Sequence, residues 1–222
     1  MQLDRDEARR RDELIATVEG RIGAIKPRFR EALRAVDRAG FVRSADRGRA
    51  WVDEPLPLET PHGREVATVS APHAYVLGFD ALDLQTGDRL LELGSGSGYG
   101  AALAAHVVGP SGLVTSVEVD PHLARLATFN TARIPNIRTL HADGLTRPDL
   151  VAQHAKCWLT FSVDVVPDAL VEAIPDGGVL VAPVGPEGWD QRLLRYRRKG
   201  SLVELDDLGA VRFVKARPLI RG

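Results

Sequence analysis

The residues with the clearest chemical potential lie in a glycine-rich segment that follows a short apolar run. Residues 89–93 predict a β-strand, and directly after it Gly94, Gly96 and Gly98 alternate with two serines. Glycine lets a ligand approach the backbone because no Cβ stands in the way. In a doubly wound α/β sheet such a turn lies at the carboxyl end of the first strand, where ligands bind. The sequence therefore predicts a cofactor site at residues 94–98.

The spacing of the glycines separates two classes of cofactor. A dinucleotide-binding turn needs glycine at position 99, where this chain has Tyr99. The observed order, acidic-x-Gly-x-Gly-x-Gly beginning at Glu92, instead resembles the first motif of class I S-adenosylmethionine-dependent methyltransferases. In that family the acidic residue lies near the cationic methionine end of the cofactor, which is the role implied for Glu92. A glycine-rich turn that binds no ligand is the structural alternative.

Two further acidic residues follow predicted strands. Glu118 ends the second strand, where a carboxylate can accept ribose hydroxyls, although an isolated glutamate there would also fit a solvated strand end. Asp143 follows the third strand and with Gly144 could recognise an adenine edge, or could simply belong to a turn. Asp120 before Pro121 predicts a helix N-cap, which is a structural role.

The elements that would position these residues alternate from residue 72 onward. Short apolar runs alternate with helical stretches, which predicts a parallel sheet with helices on both faces. The predicted strands are residues 89–93, 113–117, 137–141, 158–163 and 179–184, and the predicted helices are residues 99–107, 121–133 and 167–174. Strand-like runs at 191–198, 202–205 and 211–214 predict antiparallel strands added at one edge.

The first part of the chain has a different pattern. Residues 4–42 have helical spacing, with a second helix opening at Pro27, whereas residues 43–68 are rich in proline, glycine and charge and predict a long irregular segment. We expect one integrated α/β domain with a Rossmann-like, doubly wound, mostly parallel sheet and an N-terminal helical extension. Within it, residues 1–68 would form the helices and a substrate-side loop, and residues 69–222 an S-adenosylmethionine-binding core.

Composition excludes several other functions. The chain has 222 residues with 29 Lys and Arg against 30 Asp and Glu, so its near-neutral charge argues against sequence-independent nucleic-acid binding. Its single cysteine, Cys157, excludes an internal disulfide and a multi-thiolate metal site. It has no apolar run long enough to span a bilayer and no signal-peptide pattern at its start. We expect a cytoplasmic protein, with a monomer favoured, that uses no metal, membrane or nucleic acid.

Several stretches resemble the protein-L-isoaspartate O-methyltransferase family more specifically. Thr68-Val69-Ser70-Ala71-Pro72-His73 resembles its T-I-S-x-P-x segment, and residues 87–99 resemble its first cofactor motif almost throughout. The other similar stretches are residues 34–42, 53–58, 175–178 and 183–185. The resemblance covers roughly residues 28–214 in the family's order.

The resemblance implies methyl transfer from S-adenosylmethionine to the free carboxylate of an L-isoaspartyl residue in a protein or peptide. The ester then closes to a succinimide, which reopens partly to normal aspartate. Such an acceptor is already ionised at pH 7, since its pKa is about 4, so no general base is needed. Ser70 matches the family's active-site hydroxyl and would orient the acceptor. From the residues alone, Ser70 also fits the N-cap of a helix beginning near Pro72.

The predicted site consists of one catalytic residue and twelve cofactor-binding residues. Ser70 is the predicted catalytic residue. The predicted cofactor-binding residues are Thr68, Val69, Glu92, Gly94, Ser95, Gly96, Ser97, Gly98, Glu118, Val119, Asp143 and Gly144.

Departures from the family pattern bear on the acceptor. The link between Leu58 and Ser70 is several residues longer, Tyr75 replaces a second histidine, and residues 161–164 and 213–219 differ from the usual pattern. They leave open a specialised relative that esterifies one dedicated peptide, such as a ribosomally made product. A non-catalytic S-adenosylmethionine-binding module is a third hypothesis.

Overall fold

The computed structural model describes residues 5–58, 67–186 and 190–217. Its helices are α1 (Arg5–Ile22), α2 (Pro27–Ala35), α3 (Pro72–Ala81), α4 (Tyr99–Val108), α5 (Pro121–Thr131), α6 (Pro148–Ala152) and α7 (Asp168–Glu172). Its strands are β1 (Leu56–Pro57), β2 (Thr68–Val69), β3 (Arg89–Leu93), β4 (Leu113–Glu118), β5 (Ile137–His141), β6 (Lys156–Leu159), β7 (Val179–Val184), β8 (Gln191–Lys199) and β9 (Leu202–Val211). None of these helices is long and apolar enough to cross a membrane.

The main sheet has seven strands in the order β5-β4-β3-β6-β7-β8-β9. The first five in this order pair in parallel, and the β8–β9 hairpin adds to β7 in antiparallel fashion. The strand order changes direction at β3, whose neighbours are β4 and β6. This is the doubly wound sheet with antiparallel C-terminal edge strands that the sequence predicted, and the prediction is confirmed.

Alternation along β3 explains why helices cover both faces of the sheet. Leu90 belongs to one buried apolar cluster, whereas Leu91 and Leu93 belong to a second one. Successive side chains of a strand point to opposite faces, so a strand buried on both faces is apolar almost throughout. The second cluster contains Cys157 of β6, which is buried and unpaired, and Leu170 of α7.

The N-terminal helices pack into the first of these clusters. Val18 of α1 and Phe29 of α2 are buried in it together with Leu90 of the sheet. The ring centroid of Phe29 lies 6.1 Å from that of Phe79 in α3, a separation typical of a packed aromatic pair. The helical extension therefore shares its core with the sheet that carries the glycine turn.

Several predicted boundaries are wrong. Residues 202–205 and 211–214 are not two strands, because one strand, β9, runs from Leu202 to Val211 and the chain leaves it before Phe213. The strand predicted at 158–163 lies at Lys156–Leu159 and gives way to a bend. For α3 only a start near Pro72 was expected and no end, because its apolar residues lie on most of its surface rather than on one stripe.

The other predicted helices and segments need smaller corrections. The helix predicted at 121–133 ends at Thr131, and the one at 167–174 is the short α7. The predicted cap at Asp120 is confirmed, since its carboxylate accepts hydrogen bonds from the amides of His122 and Leu123. Most of the lengthened link between Leu58 and Ser70 lies outside the described residues.

A buried glutamine fixes the segment that follows β9. Gln191, at the start of β8, is 0% exposed and donates from Nε2 to the carbonyl oxygens of Phe213 and Pro186 and to the hydroxyl of Ser162. Its Oε1 accepts a hydrogen bond from the amide of Phe213 at 2.6 Å. Beyond Phe213, the carbonyl of Val214 accepts from the Ser162 amide. These contacts hold the segment against the end of the parallel sheet.

We expect Gln191→Leu to lower the free energy of unfolding by about 2–4 kcal/mol, because the buried polar groups of Phe213 would lose their partners. Urea denaturation measures the change. Gln153→Leu is the matched control, since Gln153 is exposed and makes one hydrogen bond to the Asp149 carbonyl. Equal stability of the two variants would contradict the anchoring role.

Candidate active site

One pocket lies at the carboxyl ends of three parallel strands. Gly94 to Gly96 follow β3, Val117 to Val119 end β4, and Ala142 to Leu145 follow β5, and all of them line the same cavity. Parallel strands end at the same edge of the sheet, so residues far apart in sequence meet there. The remaining walls come from Ala67, Thr68, Ser70, Tyr75, Leu123, Thr160, Phe161, Val214, Lys215 and Arg217, with Leu93 at the base.

The three glycines of the turn serve different purposes. A Cβ on Gly94 would lie 2.2 Å from Oγ1 of Thr160, and one on Gly98 would lie 3.3 Å from Cα of Ala127, so both positions are filled by neighbouring protein. Gly96 differs, because a Cβ there would make only an ordinary contact, 3.5 Å from Leu58 Cδ1, while its φ of +53° disfavours other residues. Gly96 therefore lines the pocket at a position where neighbouring protein leaves room beside the backbone.

The serines between the glycines do not share one environment. Ser95 lines the pocket and its hydroxyl lies 2.6 Å from the hydroxyl of Ser116. Ser97 is buried away from the pocket, and its carbonyl accepts a hydrogen bond from Asn130 of α5. Gly98 also lies outside the pocket lining, at the start of α4. Ser97 and Gly98 thus belong to the side of the turn that packs against protein, whereas Ser95 lines the cavity.

Glu118 joins the glycine turn to the end of β4. Its Oε2 accepts a hydrogen bond from the amide of Gly96 at 2.9 Å, and its Oε1 accepts from the amides of Val119 and Asp120 at 3.0 Å each. Burial raises the pKa of this carboxyl group, whereas these backbone donors favour its charged form. A carboxylate has roughly four acceptor positions, so one remains, on Oε2, for a ligand hydroxyl. Val119 lines the pocket beside it.

Glu92 lies behind the pocket rather than on its surface. It is 2% exposed and does not line the cavity, and its Oε2 accepts a hydrogen bond from the Ser116 hydroxyl at 2.5 Å. A Cβ on Gly100 would lie 2.2 Å from Glu92 Oε1 and 2.6 Å from Tyr75 Cε1, so the carboxyl group adjoins the tyrosine ring. Burial raises the pKa of Glu92 to about 8, and nearby Glu118 adds to the shift.

Asp143 and Gly144 line the pocket at the end of β5. The Asp143 carboxylate accepts a hydrogen bond from the Leu145 amide at 3.1 Å, which is the turn geometry that the sequence left open. The other carboxylate oxygen keeps its acceptor capacity toward the cavity. The turn and a contact to a bound ligand are therefore compatible.

The segment before α3 carries Ser70 into the pocket wall. Arg38 holds this segment, since its guanidinium donates to the carbonyl of Ser70 at 3.1 Å and to that of Val69 at 3.4 Å. Val69 is buried and does not line the pocket, whereas Thr68 does. The N-cap of α3 is Ala71, with no side-chain cap, so the alternative role of Ser70 as a helix cap is wrong.

Tyr75 is a pocket residue that the sequence analysis treated only as a departure from the family pattern. It lines the pocket together with Ser70, and burial raises its pKa to about 12. Its ring lies edge-on against Tyr99, with centroids 5.4 Å apart. The position three residues into α3 could have indicated this neighbour, because a helix starting at Pro72 brings Tyr75 back over its own first turn.

Other lining residues were missed for different reasons. Thr160 and Phe161 follow β6, so the rule that ligands bind at carboxyl ends of strands could have found them. Lys215 and Arg217 lie in the segment after β9, and no local pattern indicates that this segment returns to the cofactor end of the sheet. Within the described ranges, no group of three or more His, Cys, Asp or Glu residues could hold a metal ion.

Comparison with known proteins identifies the family. The model of the Protein-L-isoaspartate(D-aspartate) O-methyltransferase family matches residues 9–219. The chain belongs to this family. It is therefore an S-adenosylmethionine-dependent protein carboxyl O-methyltransferase, as its glycine turn and flanking segments predicted.

Individual relatives agree with this assignment. A protein-L-isoaspartate O-methyltransferase of Methanococcus aeolicus is 38% identical over 192 residues, which cover 86% of this chain and 84% of the relative. One from Fervidobacterium nodosum is 38% identical over 186 residues, covering 83% and 90%. A solved protein-L-isoaspartate O-methyltransferase superposes with a TM-score of 0.83 at 25% identity, over 95% of this chain and 67% of that one.

The residues in the pocket fit S-adenosylmethionine. The open side of Gly96 allows close approach to the backbone, the free acceptor position of Glu118 suits a ribose hydroxyl, and Asp143 offers an acceptor at the next strand end. When bound, the cofactor supplies an electrophilic methyl group. The buried Glu92 lies behind Ser95, to which it is linked through the hydroxyl of Ser116.

The raised pKa of Glu92 gives the first expectation for this site. Between the ordinary value of 4.5 and about 8, the folded protein holds a proton that the unfolded chain releases. The free energy of unfolding therefore falls as pH rises through this window. Glu92→Gln cannot ionise, so we expect the stability of the variant relative to the parent to increase from about pH 5 to about pH 8.

Urea denaturation at several pH values measures this difference, with the exposed Glu172→Gln as the matched control. Parallel stability profiles of the parent and Glu92→Gln would show that Glu92 is ionised in the folded protein.

Gly96 gives the second expectation. Gly96→Val and Gly177→Val place a side chain at the same kind of backbone position, with φ of +53° and +74°, and neither added Cβ meets a close neighbour. Backbone strain is therefore similar, but only Gly96 faces the pocket. We expect Gly96→Val to weaken S-adenosylmethionine binding at least tenfold in calorimetry and Gly177→Val to leave it unchanged. Equal affinities would mean that the cofactor binds elsewhere.

Proposed function

We propose that the chain transfers a methyl group from S-adenosylmethionine to the free carboxylate of L-isoaspartyl residues in proteins and peptides. The observation that carries the proposal is the position of Ser70. It lines the pocket at the glycine turn and also a second, adjoining groove, and Thr68 and Val214 are shared by the two in the same way. An acceptor in the groove and a cofactor in the pocket would meet at this hydroxyl.

The chemistry needs positioning more than proton transfer. The acceptor carboxylate is ionised at neutral pH, so one of its oxygens can attack the methyl carbon directly. The protein has to bring that oxygen to about 3 Å, in line with the bond that breaks, and exclude water. The Ser70 hydroxyl can donate a hydrogen bond to the other carboxylate oxygen, while Arg38 holds the Ser70 backbone in place.

His73 has a structural partner that explains its orientation. Its Nδ1 lies 2.9 Å from a carboxylate oxygen of Asp53, and its amide donates to the same side chain. The histidine is therefore held in place in the wall of the acceptor groove. We expect a nearly flat rate between about pH 6 and about pH 8, because an ionised acceptor needs no base. A rate that rises steeply through this range would contradict this mechanism.

We propose repair as the biological role, because the methyl ester closes to a succinimide that reopens partly to normal aspartate. We also propose that residues 1–68 form the acceptor side and residues 69–222 the cofactor side. Arg21 and Pro55 bring the first part of the chain into the groove, although Ser70 and the segment after β9 contribute to the same lining. Methyl transfer to a panel of unrelated isoaspartyl peptides tests the role, since an enzyme for one dedicated peptide would leave most of the panel unmodified.

Ser70→Ala tests the mechanism. A hydrogen bond to a charged group contributes about 1.5–3 kcal/mol, so we expect the single-turnover rate to fall roughly ten- to hundredfold. The melting temperature should change little, because Ser70 does not cap α3. Ser201→Ala, at the exposed turn between β8 and β9, is the control and should keep the parent rate. A parent-like rate for Ser70→Ala would remove the hydroxyl from the mechanism.

A further inference from the structure

The groove beside the cofactor pocket has a volume of about 640 Å³. Its floor is the segment around Ser70 and the start of α3, and one wall is the segment that follows β9. Methyl transfer itself needs only the acceptor carboxylate near Ser70. The rest of this volume is available to the residues on either side of the isoaspartate.

The ionisable side chains that line the described part of this groove are all basic. Arg21 comes from the end of α1, His73 from the first turn of α3, and Arg212 from the residue after β9. Three separate elements therefore bring nitrogen donors to one surface. No carboxylate of the described residues is part of that lining.

A buried acidic residue outside the groove lining, Asp53, contacts two of the basic residues. The Asp53 side chain is 1% exposed and does not line the groove. One of its oxygens lies 3.1 Å from Nε of Arg21 and 2.9 Å from Nδ1 of His73. Both contacts keep the pKa of Asp53 low against the effect of burial, so its charge is present at neutral pH.

Asp53 thus fixes the direction of the Arg21 side chain and leaves most N–H donors of the guanidinium available. The contact is to Nε, and the two terminal nitrogens of the guanidinium carry four further N–H groups. About half of the side chain is exposed, at 53%. A fixed fork of N–H donors of this kind matches the geometry of a carboxylate.

We propose that this basic groove selects isoaspartyl acceptors that carry an acidic side chain next to the modified residue. The inference rests on the proposed function, since it concerns the neighbours of the same acceptor carboxylate. An aspartate or glutamate beside the isoaspartate pairs with Arg21, whereas a lysine there is repelled. The pair is partly exposed to water, so its effect is modest, about two- to fivefold in kcat/KM.

Matched isoaspartyl peptides with glutamate, glutamine or lysine on both sides of the isoaspartate test the proposal. For the parent protein we expect kcat/KM to decrease in the order glutamate, glutamine, lysine. Arg21→Gln should reduce the ratio of the glutamate to the lysine peptide to near one. Arg9→Gln is the control, because Arg9 pairs with Glu13 on the exposed side of the same helix, and it should keep the ratio of the parent.

The salt dependence gives a second readout. The advantage of the glutamate peptide should shrink between about 0.05 M and about 0.5 M salt, because the Debye length shortens. If Arg21→Gln does not fold, Arg21→Lys with the same peptides replaces it, and the loss of the guanidinium fork should lower the glutamate-to-lysine ratio. A glutamate-to-lysine ratio near one for the parent, with good turnover of the glutamine peptide, overturns the groove proposal alone. If the parent protein methylates none of the three peptides, the proposed function is overturned instead.

Discussion

The buried guanidinium of Arg38 is the interaction on which the acceptor side of the site depends. Its side chain is 0% exposed and donates to five backbone carbonyls, those of Ala50, Val52, Glu54, Val69 and Ser70. A buried cation needs such partners, and an arginine stays charged although burial lowers its pKa. The strands β1 and β2 pair over only two residue pairs, so regular hydrogen bonding contributes little here. One side chain therefore fixes Ser70 relative to the N-terminal part of the chain.

The two halves of the site are built by different means. On the cofactor side, backbone amides and strand ends do most of the positioning, as when Gly96 and Asp120 donate to Glu118. On the acceptor side, buried side chains hold segments without regular structure, through Arg38, Asp53 and Gln191. Backbone geometry follows from the fold and is the same for every chain that adopts it. Side-chain anchors can change one at a time, so the acceptor side is where specificity can diverge.

This difference also explains what the sequence could predict. Local patterns predict the strand β3, the turn after it and the carboxylate of Glu118. Each of these is defined by residues that are neighbours in the sequence. Lys215 lines the pocket and Gln191 anchors the segment after β9 through contacts between residues far apart in the chain. No local pattern predicts such contacts. Glu92 was predicted from its motif, but its depth behind the pocket depends on packing against α4 and Tyr75.

The burial of Cys157 has a consequence for the protein's tolerance of oxidation. The only thiol in the chain lies inside the second apolar cluster, and burial raises its pKa far above the ordinary value. Peroxides and disulfides react with the thiolate, which does not form at this position at neutral pH. The fold therefore contains no thiol switch and no accessible sulfhydryl to cross-link two copies. No sulfhydryl of the chain therefore has to be kept reduced for this core to stay intact.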